Sequence, residues 1–272
     1  PAAGWGDAAC PGAPELDFAP HGIHLSQRVD GRWQLLVVNH FGRESVEFFE
    51  LLDSERLVWR GCVVFPRGAF LNDVVGFRDG SLVATNMVEL EQGVDPITEL
   101  LGGAASGKLW QWSPGGQVST LPSLPIAFAN GIERSADGQV VYVNAYNSGE
   151  VIAIERATGR IVRSAPISKP DNSYPLNENT LLIASHTGDI DYENGECHSL
   201  DSGYCPVAFQ IVALDMRTME TTVIFEHQGA PMGGGTVAVP VDKYLYIGSF
   251  SGDRLIRVEL KGTDALEHRG GR

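Results

Sequence analysis

Five stretches of the chain repeat one arrangement of apolar and polar positions: a polar or small-residue opening, a short strand, a turn, and a strongly apolar strand. They begin at His21 (HGIHLSQRVDGRWQLLVVNH), Asn72 (NDVVGFRDGSLVATN), Asn130 (NGIERSADGQVVYVNAY), Asp171 (DNSYPLNENTLLIASH) and Gly235 (GTVAVPVDKYLYIGSF). Asp30-Gly31, Asp79-Gly80 and Asp137-Gly138 mark three of the turns, with Asn177–Asn179 and Val241–Lys243 as the others. Aspartate–glycine between two apolar runs predicts a two-residue hairpin with positive φ at both central positions. A third strand follows in each unit (VEFFELL, GKLWQWS, EVIAIER, FQIVALD, RLIRVEL), alternating apolar with polar residues as a half-buried strand does. The openings lie 51, 58, 41 and 64 residues apart. Blade-type repeats run about 40 to 50 residues, so the longer units are expected to carry insertions, at 87–107 and 187–208. One short helix is expected over Asp95–Gly102, with Asp95 as cap and Pro96 in its first turn. Strands in every repeat and almost no helix predict an all-β chain, a single β-propeller domain over 1–272, in preference to a β-sandwich.

Composition narrows the partners. With 34 acidic against 20 basic side chains the formal charge is −14. Phosphate backbones need Lys/Arg clusters, and none is present, so neither nucleic acid nor an anionic membrane surface is expected. No stretch approaches the roughly 20 apolar residues of a transmembrane segment. A small-molecule substrate and hard cations suit an acidic surface, and the sequence leaves oligomeric state open. The four cysteines, Cys10, Cys62, Cys197 and Cys205, contain no CxxC pair. The short spacing of Cys197 and Cys205 points to a loop staple, which leaves Cys10 with Cys62 and implies a secreted or periplasmic protein. Four reduced buried thiols, or zinc on Cys197, His198 and Cys205, are the alternatives. The chain opens at Pro1 rather than methionine, and is expected to be a mature form or a fragment.

In a propeller the first strand of each blade lines the central channel, so equivalent positions meet near the axis. The occupants are His21, Asn72-Asp73, Asn130, Asp171-Asn172 and Thr236. Carboxylate and amide oxygens without thiolates are the ligand set of calcium; the bland reading is that Asn and Asp are simply turn residues. PHGI (20–23), LLVVNH (35–40), LNDVV (71–75), FANGI (128–132), PDN (170–172) and the GGTVA segment together resemble the paraoxonase/arylesterase family, within the superfamily of senescence-marker-protein-like gluconolactonases. The resemblance spans about Pro20 to Leu260. It implies a six-bladed propeller, calcium in its tunnel, and hydrolysis of lactones or esters. Asn72, Asn130, Asp171 and Asn172 match the family's catalytic-calcium ligands. Asp73 and the backbone carbonyl of Ile23 match ligands of a second, structural calcium. His21 and His40 match its water-activating histidine pair. The family draws further acidic ligands from an N-terminal Glu-Asp strand, which has no counterpart before His21. Only five repeats are readable, so one blade is expected to be incomplete; the nearby acids Glu15 and Asp17 match no motif.

The implied chemistry is a metal-polarised carbonyl attacked by water, with His21 as base and His40 orienting it or relaying its proton. A serine nucleophile is not expected: no GxSxG is present. The glycines at 233–235 are followed by neither lysine nor helix, which excludes a phosphate loop. His24, His186, His198, His227 and His268 are read as structural. Two other functions share the scaffold: a non-catalytic propeller that binds a ligand or a protein partner and that calcium only rigidifies, and a strictosidine-synthase-like condensing enzyme.

Overall fold

The computed structural model describes residues 4–14, 18–90, 103, 105–122, 124–190, 197, 200 and 202–260. Each repeat becomes one antiparallel sheet whose neighbouring strands follow one another in sequence. The first sheet holds β1 (Pro20–Gln27), β2 (Trp33–Asn39), β3 (Ser45–Asp53) and β4 (Arg56–Val64). The second holds β5 (Leu71–Gly76), β6 (Leu82–Asn86), β7 (Lys108–Trp112) and β8 (Ser119–Thr120). The third holds β9 (Ala129–Arg134), β10 (Val140–Ala145), β11 (Glu150–Glu155) and β12 (Ile161–Pro166). The fourth holds β13 (Pro170–Asn177), β14 (Thr180–His186), β15 (Phe209–Asp215) and β16 (Thr221–His227). The fifth has three strands: β17 (Gly235–Val241), β18 (Tyr244–Ser249) and β19 (Ile256–Glu259). The fold is an all-β propeller, with no helix among the described residues. The short helix expected over 95–102 lies outside them, as do most of the insertion expected at 87–107 and residues 191–196, 198, 199 and 201 of that expected at 187–208.

Five blades stand where the family resemblance implied six. Each sheet grows from one hairpin-bearing repeat, and the chain holds five such repeats. The described residues ahead of β1 form no strand. They dock instead onto the first sheet: the Asp7 N–H donates to the Cys62 carbonyl at 2.8 Å, and a disulfide joins Cys10 to Cys62. Trp5 is fully buried beneath the Arg28 guanidinium, 4.5 Å from the ring centroid.

The aspartate–glycine turns are longer than expected, and the reason is local. Arg28–Gly31, Phe77–Gly80 and Ser135–Gly138 each close with an N–H bond from the glycine to the carbonyl three residues back. Only the glycine has positive φ (82°, 86° and 71°). Each aspartate stays in ordinary backbone space because its Oδ1 accepts the N–H two residues on, at 2.9–3.1 Å. This is a type I turn closed by a left-handed glycine, which keeps the strand twist that a bare type I turn would splay.

The chain divides into two compact units, one of Pro1–Val143 with Ile154–Ile161 and one of Asn144–Ala153 with Val162–Arg272. In the first unit Leu36, Val38, Val46, Phe48, Leu71, Leu82, Trp110 and Trp112 form one buried cluster. Leu36 lies opposite Phe48, and Val38 opposite Val46, so the apolar sides of β2 and β3 coincide in register. In the second unit Leu182, Ala184, Phe209, Ile211, Met232, Leu245 and Ile247 do the same. The second disulfide, Cys197–Cys205, sits against Val207. With every cysteine paired, the reduced-thiol and zinc alternatives fall.

Candidate active site

In the first unit, β1 packs against β5 and β5 against β9, so three opening strands lie side by side. What lets them approach is Gly22. A Cβ there would stand 2.5 Å from the Asn72 carbonyl, the Asp73 Cα and the Asp73 Oδ1, distances real side chains do not reach. Ile23, the next residue, pairs with Val37 and turns its side chain to solvent. Asn72, Asp73 and Asn130 are all buried.

Their bonding separates these three. The Asn72 amide nitrogen lies 3.2 Å from the Met87 sulfur. Asp73 accepts backbone N–H bonds from Val74 at 2.8 Å and from Ile132 at 3.0 Å. Its neighbouring charges are His24 and Glu133, and burial above all pushes its carboxyl up to about 7. The Asn130 amide oxygen is buried with no hydrogen-bond partner. An unpaired buried acceptor costs about 1–3 kcal/mol and calls for an explanation.

The predicted histidine pair is brought together. His21 Nδ1 lies 2.9 Å from His40 Nε2, and the rings meet edge to face at 5.1 Å. His21 keeps surface open to solvent although protein atoms crowd round it. That loss of water, followed by the charge of His40, pushes its pKa from 6.5 down to about 4. Glu44, which sequence reasoning missed, faces the other side of His40, with its two oxygens 3.1 and 3.0 Å from Nδ1. The signal was there: a histidine closing one strand, and a carboxylate four residues on, just before the next.

Also missed was what holds these positions. Asn39, the last residue of β2, is fully buried. Its amide oxygen accepts the Ala19 and Phe41 N–H groups, and its nitrogen donates to the carbonyls of Phe41 and Arg43. One polar side chain thus pins both the approach to β1 and the turn that carries His40. Asn86 repeats the device at the end of β6, accepting from the Phe70 N–H at 2.8 Å and donating to the Val88 carbonyl at 2.7 Å.

In the second unit, the Asn172 amide nitrogen donates to Asp171 Oδ1 at 3.0 Å, and Asn144 donates to the Asp171 carbonyl at 2.6 Å. His186 is buried there, hydrogen-bonded to the Tyr146 hydroxyl at 2.8 Å and 3.7 Å from Asp171 Oδ2. Burial pushes its pKa down to about 4. Each unit also holds a bulky residue in left-handed backbone two positions ahead of a predicted ligand: Phe128 (φ 55°) before Asn130, and Lys169 (φ 37°) before Asp171. Such conformations persist only where the surroundings impose them. The lone acids Glu15 and Asp17 lie outside the described residues.

A family model described as arylesterase matches residues 9–260. The chain belongs to the arylesterase family. It is 24% identical over 266 residues to mechanosensory abnormality protein 6 of Caenorhabditis elegans, covering 90% of this chain and 66% of that protein. It is 27% identical over 247 residues to human serum paraoxonase/arylesterase 1, covering 85% of this chain and 66% of that protein. The chain therefore spans just under two thirds of the length of these relatives. Among solved structures, a gluconolactonase of Xanthomonas campestris superposes with a TM-score of 0.52 at 17% identity, covering 87% of this chain and 71% of the other. A protein of unknown function from Bacteroides caccae gives 0.51 at 15% identity, covering 91% and 80%. At these identities the likeness concerns the fold alone.

The calcium expected from the resemblance can be tested against this arylesterase-family chain's own donors. The first unit offers the orphaned Asn130 oxygen and a buried Asp73 carboxyl whose bonded partners are backbone N–H groups. Both are hard oxygen donors of the kind calcium takes. Among the described residues no three His, Cys, Asp or Glu side chains gather as a metal cluster.

Proposed function

We propose that this chain hydrolyses carboxylic esters or lactones, with His21 as general base and His40 relaying its proton. Family membership supports the reaction class. The single observation that carries the mechanism is the 2.9 Å contact between His21 Nδ1 and His40 Nε2. Asn72 and Asn130 are proposed to hold a calcium ion, and Asp73 with the Ile23 carbonyl a second, structural one. Asp171 and Asn172, in the second unit, are proposed as calcium ligands on the resemblance alone. Calcium, when bound, supplies Lewis-acid polarisation of the ester carbonyl.

The chain's own groups do the rest. His21 is neutral at pH 7 because its pKa lies near 4, so it can take a proton from water. With Nδ1 directed at His40, its Nε2 is the nitrogen left for that water. The proton accepted there is matched by one passed from Nδ1 to His40 Nε2, which keeps the positive charge from resting on the crowded His21 ring. The two disulfides support a secreted or periplasmic setting, where such bonds persist.

The test compares hydrolysis of an aryl acetate and an aliphatic lactone by the wild-type chain, His21→Gln and His40→Gln. The expected result is a loss of about 10²–10⁴-fold in kcat for His21→Gln, the range of general-base catalysis. Unchanged rates in both variants contradict the mechanism. No hydrolysis by the calcium-loaded wild-type chain favours the non-catalytic propeller.

A further inference from the structure

Glu44 sits in the connection of residues 40–44 between β2 and β3, together with His40. An exposed ion pair at this spacing has little effect. This one is not exposed: the side chains of His40 and Glu44 are 22% and 15% accessible. The carboxylate is also tied to a third element, because the Leu71 N–H at the start of β5 donates to its Oε1 at 2.6 Å. The residue after Leu71 is Asn72, one of the proposed ligands. Around the carboxylate the turn is locked twice. Asn39 holds the Phe41 and Arg43 carbonyls, and Arg43 pairs with the buried Glu47 at 2.7 Å. Glu47 in turn accepts from Ser45 at 2.7 Å and from the Trp59 indole at 2.8 Å.

We propose that Glu44 is a positioning residue that completes a Glu44–His40–His21 relay and sets the tautomer of both rings; the inference rests on the hydrolase reading above. A carboxylate accepts hydrogen bonds and does not donate them, so His40 must present Nδ1–H to Glu44. Its Nε2 then carries the lone pair and must accept from His21 Nδ1–H, 2.9 Å away. The His21 Nε2 is left unprotonated, the form a general base requires. Without Glu44, His40 reverts to the Nε2–H tautomer that free imidazole side chains prefer. It then donates to His21 Nδ1, and His21 carries its proton on Nε2, where it cannot accept one from water. One carboxylate, acting through His40, decides whether the pair can act as a base. The same hydrogen bond to β5 keeps the pair in register with the strand that bears Asn72.

Two measurements on the full chain test this. In long-range proton–nitrogen correlation spectra, wild-type His40 is expected as the Nδ1–H tautomer, and Glu44→Ala as Nε2–H. Glu44→Gln, whose amide oxygen still accepts, is expected to keep Nδ1–H. An Nε2–H tautomer in the wild-type chain overturns the proposal even if Glu44→Ala does not fold. So does an unchanged tautomer in a folded Glu44→Ala. In aryl acetate hydrolysis, kcat is expected to fall in Glu44→Ala towards the roughly 10⁴-fold seen when a triad carboxylate is lost, and by less in Glu44→Gln, with KM unchanged. Wild-type kcat in Glu44→Ala alongside an impaired His21→Gln overturns the role of Glu44 and leaves the hydrolase reading standing. Wild-type kcat in His21→Gln and His40→Gln overturns that reading instead.

Discussion

Asn130 and His21 carry opposite kinds of strain, one a hydrogen bond left unmade and the other a charge kept off. The Asn130 oxygen is buried and unpartnered, so replacing it by leucine, of similar shape, removes a desolvation cost. In calcium-free buffer Asn130→Leu is therefore expected to be as stable as the parent chain or more so, by about 1 kcal/mol. With calcium the order is expected to reverse: the parent's melting temperature rises by more than that of the variant, which keeps only the response to the second, structural ion. Thermal melts with and without calcium decide this, and an equal calcium response in both removes Asn130 from the ligand set. For His21 the sign follows from its pKa, which is lowered from 6.5 to about 4. A base works only when deprotonated, so hydrolysis is present above the folded pKa and is lost as pH falls through about 4. A pH–rate profile whose acid limb lies near 6.5 instead contradicts that environment. Stability follows the same direction, since the unfolded chain takes up a proton near 6.5 that the folded ring refuses until about 4.

Among the elements, the opening strands were legible and their joints were not. The period-two pattern located all five hairpins because an antiparallel strand with one covered face must alternate. The third-strand segment FQIVALD matches β15 residue for residue. Fourth strands such as β12 and β16 stayed hidden because their outer-edge positions are largely exposed, and so carry little apolar signal. Likewise hidden were Asn39 and Asn86, since nothing in a sequence separates an asparagine that pins a neighbouring strand from one that merely turns. His21 and His40 were found through their motif context. Glu44 belongs to no motif, and its role appears only once the turn is closed. The close approach of β1 to β5 makes its own prediction. Gly22→Ala forces a Cβ against backbone at 2.5 Å, and neither strand can yield without moving Asp73. The expected cost is about 1–3 kcal/mol in urea unfolding, with calcium affinity reduced as well. A variant with unchanged stability shows the strands to be looser than this.

On the scale of the molecule, two disulfides close loops of very different length. The Cys10–Cys62 bond closes a sequence separation of 52 and fixes the segment that carries Trp5 against β4. Loop-closure entropy gives it about 4 kcal/mol, against about 2.5 kcal/mol for Cys197–Cys205 with its separation of 8. Double serine replacement at 10 and 62 is thus expected to destabilise the chain more than the same change at 197 and 205; equal effects in denaturant unfolding contradict the ranking. The family resemblance set blade number wrongly: the sequence holds five hairpin repeats, and the described residues ahead of β1 build no further strand. An imidazole pair beside oxygens proposed to hold calcium is what would turn this scaffold into a hydrolase. The most direct test is the rate of aryl acetate hydrolysis by the full chain as calcium is titrated in and then withdrawn with EGTA. Turnover is expected to rise to saturation with calcium and to be abolished and restored by chelation and readdition; hydrolysis indifferent to EGTA contradicts a calcium-dependent mechanism.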